Sequence, residues 1–323
     1  MPTSRREFLQ STVAVAGITG SLSGAEPPLP MRPLGKTGER VSILAFGGGM
    51  RFYQTRNDED AVRFIVQAAE AGITYFDTAE SYSRGRSEQL YGKGFRARGG
   101  KQGLFVATKI SNRDGAAVPG IVEQSLKNLQ VDQVDLISIH SLENEDDLAR
   151  IEAKGGVLEA LLKIRDQKLT RFIGISSHDS PPAMKLALER HEFDCCQMAL
   201  NAAMADMIGT TRPVTAGERS FESLALPVAR RKNMGVIAMK VFARDALAGQ
   251  PEATARNLIY YALSLPITTA VIGHPTVEHL EQNVRLAKAF QPLPKTEMEQ
   301  LARALSTRNK TALVEFFRHH VDA

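Results

Sequence analysis

The 323-residue chain has no tryptophan and only two cysteines, adjacent at Cys195 and Cys196. Two neighbouring thiols cannot build a disulfide framework, and bridging them would close a strained ring, so they read as buried free thiols. A four-cysteine zinc site is excluded. The seven histidines show no H-E-x-x-H and no other metal-ligand spacing, so no metal is expected. There is no low-complexity tract, no Lys/Arg run and no basic stripe interleaved with aromatics, and the net charge of +4 is small for this length. Nucleic acid is therefore excluded as an expected partner. No apolar run approaches the ~20 residues that a membrane-spanning helix needs, so stable membrane insertion is not expected. What is present, 43% hydrophobic residues against 24% charged, is the composition of a soluble globular chain with a full core.

The first residues read as an address. Ser4-Arg5-Arg6-Glu7-Phe8-Leu9 precedes a mild apolar run over 11–22, and Ser23-Gly24-Ala25 supplies small residues for a cut after Ala25. That order of basic, apolar and small-residue segments is tripartite. It resembles a twin-arginine (Tat) export signal, which implies the twin-arginine export machinery as a partner and a periplasmic or extracellular destination. The expected organisation is a signal peptide over 1–25, an extended proline-rich linker over 26–32, and one domain with a C-terminal tail over 33–323.

From position 41 onward, short β-branched runs alternate with longer amphipathic segments. Strands are predicted over 41–46, 74–76, 104–108, 136–139, 172–175, 195–198, 236–239 and 269–272. Helices are predicted over 60–71, 87–96, 120–129, 156–167, 182–190, 222–232, 252–263 and 277–289. Eight βα units predict an α/β fold, the (β/α)8 TIM barrel, whose functional residues gather at the C-terminal strand ends. A doubly wound sheet is disfavoured, because Gly47-Gly48-Gly49 lacks the spacing of a dinucleotide fingerprint. That triple glycine reads as a loop allowing close approach of a ligand or of another stretch of chain.

Four polar side chains fall at successive strand ends: Asp77 and Tyr82 after the second strand, Lys109 on the third and His140 on the fourth. An ammonium beside a phenol stabilises the phenolate and lowers a pKa of about 10 toward a usable value. An aspartate paired with the lysine fixes that charge, and a histidine nearby can orient a substrate carbonyl.

In this order the four resemble the catalytic tetrad of the aldo-keto reductases. The likeness extends to 33–38 with Val41-Ser42 and Phe46-Gly47, to 72–79 with Tyr82 and Ser87-Glu88, and to Val134-Asp135-Leu136 before His140. It continues through 171–176, then Gln197 and Asn201. The resemblance implies hydride transfer from a nicotinamide cofactor to an aldehyde or ketone, sugar-like ones included. Tyr82 would be the general acid, Lys109 and Asp77 would tune it, and His140 would orient the substrate oxygen. Ser176, Ser177 (where Asn is commoner) and Gln197 would hold the carboxamide, Met239 would lie against the nicotinamide, and Lys240 would reach the pyrophosphate. After the eighth strand, Gly273, Gln282 and Asn283 resemble the phosphate loop and adenine-contacting helix. His279, with His274 nearby, stands where a 2′-phosphate clamp is usual. NADP is the expected cofactor, and NAD is an alternative because a neutral imidazole is a poorer clamp than a guanidinium.

Substrate walls are expected from 48–58 (with Phe52, Tyr53 and Arg56), from the acidic segment 143–147, from 202–221 and from the C-terminal tail. Asp146 and Asp147 are expected to face solvent, and 316–320 to form an amphipathic helix docked on the barrel. A non-catalytic nicotinamide sensor or scaffold is the alternative function, opposed by the intact tetrad. A hydrolase or isomerase on the same barrel is disfavoured because no paired carboxylates or metal ligands gather at the strand ends.

Overall fold

A computed structural model of the chain describes residues 27–53, 57–204, 220–243 and 251–308. The segment 1–25, Arg56, most of 202–221 and the stretch 316–320 therefore lie outside the described residues, as does the Tyr53 side chain. Eight parallel strands close into a barrel: β3 (Leu44–Gly47), β4 (Tyr75–Asp77), β5 (Phe105–Ile110), β6 (Val134–Ile139), β7 (Thr170–Ser177), β8 (Cys195–Ala199), β9 (Gly235–Met239) and β10 (Thr269–Ile272). The last pairs with the first. This is the (β/α)8 TIM barrel that the alternation predicts.

The predicted first strand is split. Arg40–Ser42 forms β2 of an antiparallel hairpin with β1, Met31–Pro33, and only Leu44–Gly47 enters the barrel. Within the stretch expected as linker, Leu29 is buried against Gly72 and Met31 pairs with Ser42. The hairpin closes the N-terminal end of the barrel with Leu34, which is fully buried. A Cβ on Gly235 would sit 2.6 Å from the Leu34 side chain and 2.9 Å from Cys195 Sγ, so glycine there makes room for the plug. Tyr75 stacks on Phe105 at 5.1 Å, and Phe105 on Phe172 at 6.2 Å, filling the same interior.

Helices cover the outside and start where sequence chemistry allows. Asn57 caps α2 (Asp58–Glu70), Ser180 caps α7 (Pro181–Arg190), Thr254 caps α10 (Ala255–Ser264) and Thr276 caps α11 (Val277–Lys288). Each accepts a bond from a first-turn N–H. The predicted helix 222–232 is broken at Ala225 into α8 (Phe221–Leu224) and α9 (Leu226–Arg231), because Pro227 has no N–H to carry the first helix through. Three helices escape the periodicity: α1 (Met50–Tyr53), α5 (Glu145–Glu152) and α12 (Lys295–Arg308). The remaining three, α3 (Arg86–Ala97), α4 (Val118–Leu129) and α6 (Val157–Asp166), match the predicted segments within two residues. Both cysteines are buried and free, and burial pushes both thiols far above their ordinary range.

Candidate active site

Strand alternation turns Asp77, Lys109 and His140 into the barrel at the C-terminal ends of β4 to β6. All three are at most 4% exposed. Buried charges must be paired, and these are: Lys109 Nζ donates to Asp77 Oδ2 at 2.6 Å and to the Thr78 carbonyl at 2.7 Å. Gln197 Nε2 donates to the same Asp77 oxygen at 3.3 Å. Asp77 Oδ1 is buried without a hydrogen-bond partner among the described residues.

Tyr82 arrives from the loop after β4, where Ser83, Arg84 and Gly85 all take positive φ and turn the chain into α3. Its ring lies 5.2 Å from the Lys109 ammonium and meets His140 edge-on at 5.5 Å. The triple glycine makes this approach possible. A Cβ on Gly48 would lie 2.7 Å from both Ser87 Oγ and Tyr91 Oη, and one on Gly49 would touch the Tyr82 ring at 3.8 Å. Tyr91 Oη, donating to the carbonyls of Phe46 and Asp77 at 3.1 Å each, ties the two strand ends together.

His140 Nδ1 hydrogen-bonds Ser111 Oγ at 3.1 Å, with Ser81 Oγ at 3.4 Å. Its backbone is clamped as well. Arg113 Nη2 donates to the carbonyls of His140 (2.8 Å) and Ser141 (3.2 Å) and to Asp147 Oδ2 (2.8 Å), while Nε donates to Asp147 Oδ1 at 3.0 Å. Asp147 is therefore 1% exposed, against the expectation that it faces solvent; Asp146 is exposed as expected. Burial would raise the Asp147 carboxyl, but the Arg113 guanidinium, the Glu143 N–H and Arg150 outweigh it and hold the group below the usual carboxylate range. Sequence reasoning missed Arg113, Ser81 and Ser111. The one local signal was Asn144, whose side chain caps α5 by accepting from the Asp147 N–H at 2.8 Å.

Several residues expected among the cofactor contacts also bond within the chain. Ser176 Oγ accepts from the Ser141 N–H and donates to the Ile139 carbonyl, while Ser177 Oγ donates to the Leu142 carbonyl at 2.6 Å. Both hydroxyls thus fasten the β6–α5 loop. Phe52 is fully buried, edge-on to Phe46 and Tyr91, and lines no substrate wall. His274 is fully buried and stacked on Phe46. Asn283, 4% exposed, hydrogen-bonds His274 Nδ1 at 3.2 Å instead of facing outward. Met239 is buried at the end of β9, and Lys240 follows at φ 56°. Gly273, His279 and Gln282 are exposed, with His279 Nδ1 on the capping Thr276 Oγ1 at 2.9 Å. Arg51, unnoticed in the sequence, packs over Gly273: a Cβ there would meet its side chain at 3.2 Å.

An ammonium held beside a phenol, with an oriented imidazole at the same barrel mouth, suits proton delivery to a polar double bond. The sequence profile of the aldo/keto reductase family matches residues 44–258. The chain belongs to the aldo/keto reductase family. Curated relatives include L-galactose dehydrogenase of Arabidopsis thaliana, 34% identical over 158 residues, covering 46% of this chain and 48% of that protein. Another is aldo-keto reductase YhdN of Bacillus subtilis, 26% identical over 221 residues, covering 65% and 60%. The chain thus spans about half of the first and three fifths of the second. The aldo-keto reductase AKR11C1 of Bacillus halodurans, solved in its holo form, superposes with a TM-score of 0.68 at 23% identity, covering 85% of this chain and 97% of that one. The Bombyx mori reductase AKR2E4 in complex with NADP gives 0.63 at 18% identity, covering 87% and 94%. At these identities the structural likeness speaks to the fold. Among the described residues no helix is long and apolar enough to cross a membrane, and no cluster of potential metal ligands occurs.

Proposed function

We propose that this aldo/keto reductase reduces an aldehyde or ketone with a nicotinamide cofactor, the single supporting observation being the Asp77–Lys109–Tyr82–His140 constellation. The cofactor, when bound, supplies the hydride. The residues fit such a group. Asp77 Oδ1 is a buried acceptor suited to a sugar hydroxyl, and the exposed Gly273 backbone lies beside Arg51 at the start of α11, a helix N-terminus suited to phosphate. Gln197 and Lys240 would complete the contacts at the barrel mouth.

The chain's own residues do the proton chemistry. Tyr82 donates its phenolic proton to the carbonyl oxygen as negative charge develops there. Lys109 stabilises the phenolate left behind, and Asp77 with the Thr78 carbonyl keeps that ammonium in place. His140, its ring fixed by Ser111 and its backbone by Arg113, orients the substrate oxygen. Ser81, Ser111 and Ser141 around this point favour a hydroxylated substrate, in keeping with the likeness to a protein named L-galactose dehydrogenase.

NADP is the preferred cofactor, with the exposed Arg51 beside Gly273 supplying a cation where His279 is a poorer clamp. We further propose that the Arg5-Arg6 segment directs export of the folded, cofactor-loaded protein by the twin-arginine route. The test is consumption of NADPH and NADH with a panel of hydroxyaldehydes and hydroxyketones. Turnover that Tyr82→Phe abolishes, with cofactor binding intact, supports the reading. Turnover unchanged in Tyr82→Phe, or absent with every carbonyl and both cofactors, overturns it.

A further inference from the structure

The turns that follow β6 and β7 bring together a serine, a histidine and an aspartate that take no part in the proton chemistry given above. Ser141 Oγ lies 3.0 Å from His178 Nε2, and His178 Nδ1 lies 3.1 Å from Asp179 Oδ1. A hydroxyl on one ring nitrogen, with a carboxylate behind the other, is the order of groups that makes a serine nucleophilic. Such a route to hydrolysis needs neither paired carboxylates nor a metal.

Both turns are fixed by bonds from other parts of the chain. Ser141 leaves β6 at φ 55°, a conformation that a residue with a Cβ seldom adopts. Its N–H donates to Ser176 Oγ at 3.0 Å, its carbonyl accepts from Arg113 Nη2 at 3.2 Å, and the next carbonyl, that of Leu142, accepts from Ser177 Oγ at 2.6 Å. Strain held in this way is a device for aiming a side chain. His178 directly follows β7, and Ser177 Oγ accepts from the N–H groups of Asp179 and Ser180 at 3.4 and 3.3 Å, which fixes the turn around it. His178 is 5% exposed, whereas Ser141 is only half-buried, so the base is shielded and the nucleophile accessible. A carboxylate beside Nδ1 favours the tautomer with its proton there, leaving Nε2 to accept from the Ser141 hydroxyl.

We propose that Ser141 and His178 form a second catalytic site, one that hydrolyses carboxylic esters, with Asp179 as its positioning residue. Ser141 Oγ adds to the ester carbonyl as its proton passes to His178 Nε2. The bond from the acyl carbon to the alcohol oxygen then breaks, and the alcohol leaves with that proton. Water attacks the acyl-Ser141 ester next, giving a proton to His178 Nε2, and Ser141 recovers that proton as the carboxylic acid departs. Asp179 stabilises the imidazolium formed in each half. Nothing is oxidised or reduced and water is the only co-reactant, so this activity stands or falls independently of the reductase reading.

The probe is p-nitrophenyl acetate, given to the full chain without nicotinamide, at a temperature where thermal melts show every variant folded. The wild type should release p-nitrophenol over many turnovers, and acid-quenched protein should carry acetyl on Ser141 by peptide mass spectrometry. Ser141→Ala should lose both signals, and Ser141→Cys, which puts a nucleophile back at that position, should regain the acyl group. His178→Gln keeps an amide able to bond Ser141 but removes the base. Its release rate should fall by about 10²–10⁴, the usual worth of a positioned acid–base group, whereas a merely structural histidine would leave the rate unmoved. Acetyl groups on lysines alone, release of a single equivalent, release that survives Ser141→Ala, or a wild-type rate in His178→Gln each overturns the proposal.

Discussion

Asp77 and Asp135 are both 3% exposed and both bound to cations, yet they sit at opposite ends of the barrel wall and are finished differently. At the N-terminal end, Asp135 uses both oxygens: Oδ2 takes the Val106 N–H at 2.9 Å and Lys101 at 3.0 Å, and Oδ1 takes Arg171 at 2.9 Å. At the C-terminal end, Asp77 loads Lys109 and Gln197 onto one oxygen and holds the other in reserve. The same residue type is closed at the N-terminal end and left open at the mouth where Lys109, Tyr82 and His140 gather. The backbone does not share this contrast: residues with positive φ occur at both ends, Ser83, Arg84, Ser141 and Lys240 at the C-terminal end and Gln130, Lys168 and Asn233 at the N-terminal end.

Substitution at each end separates the two roles. The largest effect is expected from Tyr82→Phe: carbonyl reduction falls by about 10²–10⁴, the usual worth of a positioned general acid, while the melting temperature stays put. Steady-state kinetics beside a thermal melt checks it. Asp135→Ala should reverse that pattern, costing about 2 kcal/mol in denaturant unfolding by stranding the Val106 N–H and two cations, with kcat nearly unchanged. Asp147→Asn is expected to fall between, since the Arg113 clamp serves both fold and site. Asp147 is held below the unfolded value of about 3.9, so its stabilisation is present above that pH and is lost as pH falls through the folded value. The variant should therefore lose wild-type acid dependence of stability below about pH 4, and its carbonyl KM should rise as His140 loosens. The smallest effect belongs to Glu192, drawn down to about 2 by Lys232 and Lys36 but 70% exposed. Glu192→Gln should leave activity alone and lower the melting temperature only slightly, the difference vanishing in salt.

Much of this contrast is legible in the sequence. Eight alternations of period 2 and period 3.6 dictate the barrel, and Asp77, Lys109 and His140 fall at strand ends by counting. What escaped was long-range or disguised. The Arg113–Asp147 pair spans 34 residues with no local pattern, and the charged face of α5 hides the buried Leu148 and Ile151 that make it a helix. Phe52 and His274 read as site residues because loops after strands usually carry function. Here both fill an aromatic cluster around Phe46, which only packing reveals. Ser177, expected among the cofactor contacts, spends its hydroxyl on the neighbouring loop, a long-range bond that no local pattern announces.

The reserve oxygen of Asp77 and the Lys109–Tyr82 contact have meaning only if a nicotinamide binds above them. The direct measurement is parallel titration of the protein with NADPH and NADH, followed by calorimetry and by quenching of tyrosine fluorescence, which no tryptophan obscures. The account predicts saturable one-to-one binding of NADPH, weaker binding of NADH, and loss of the NADPH preference in Arg51→Ala. Absence of binding to either cofactor would contradict it.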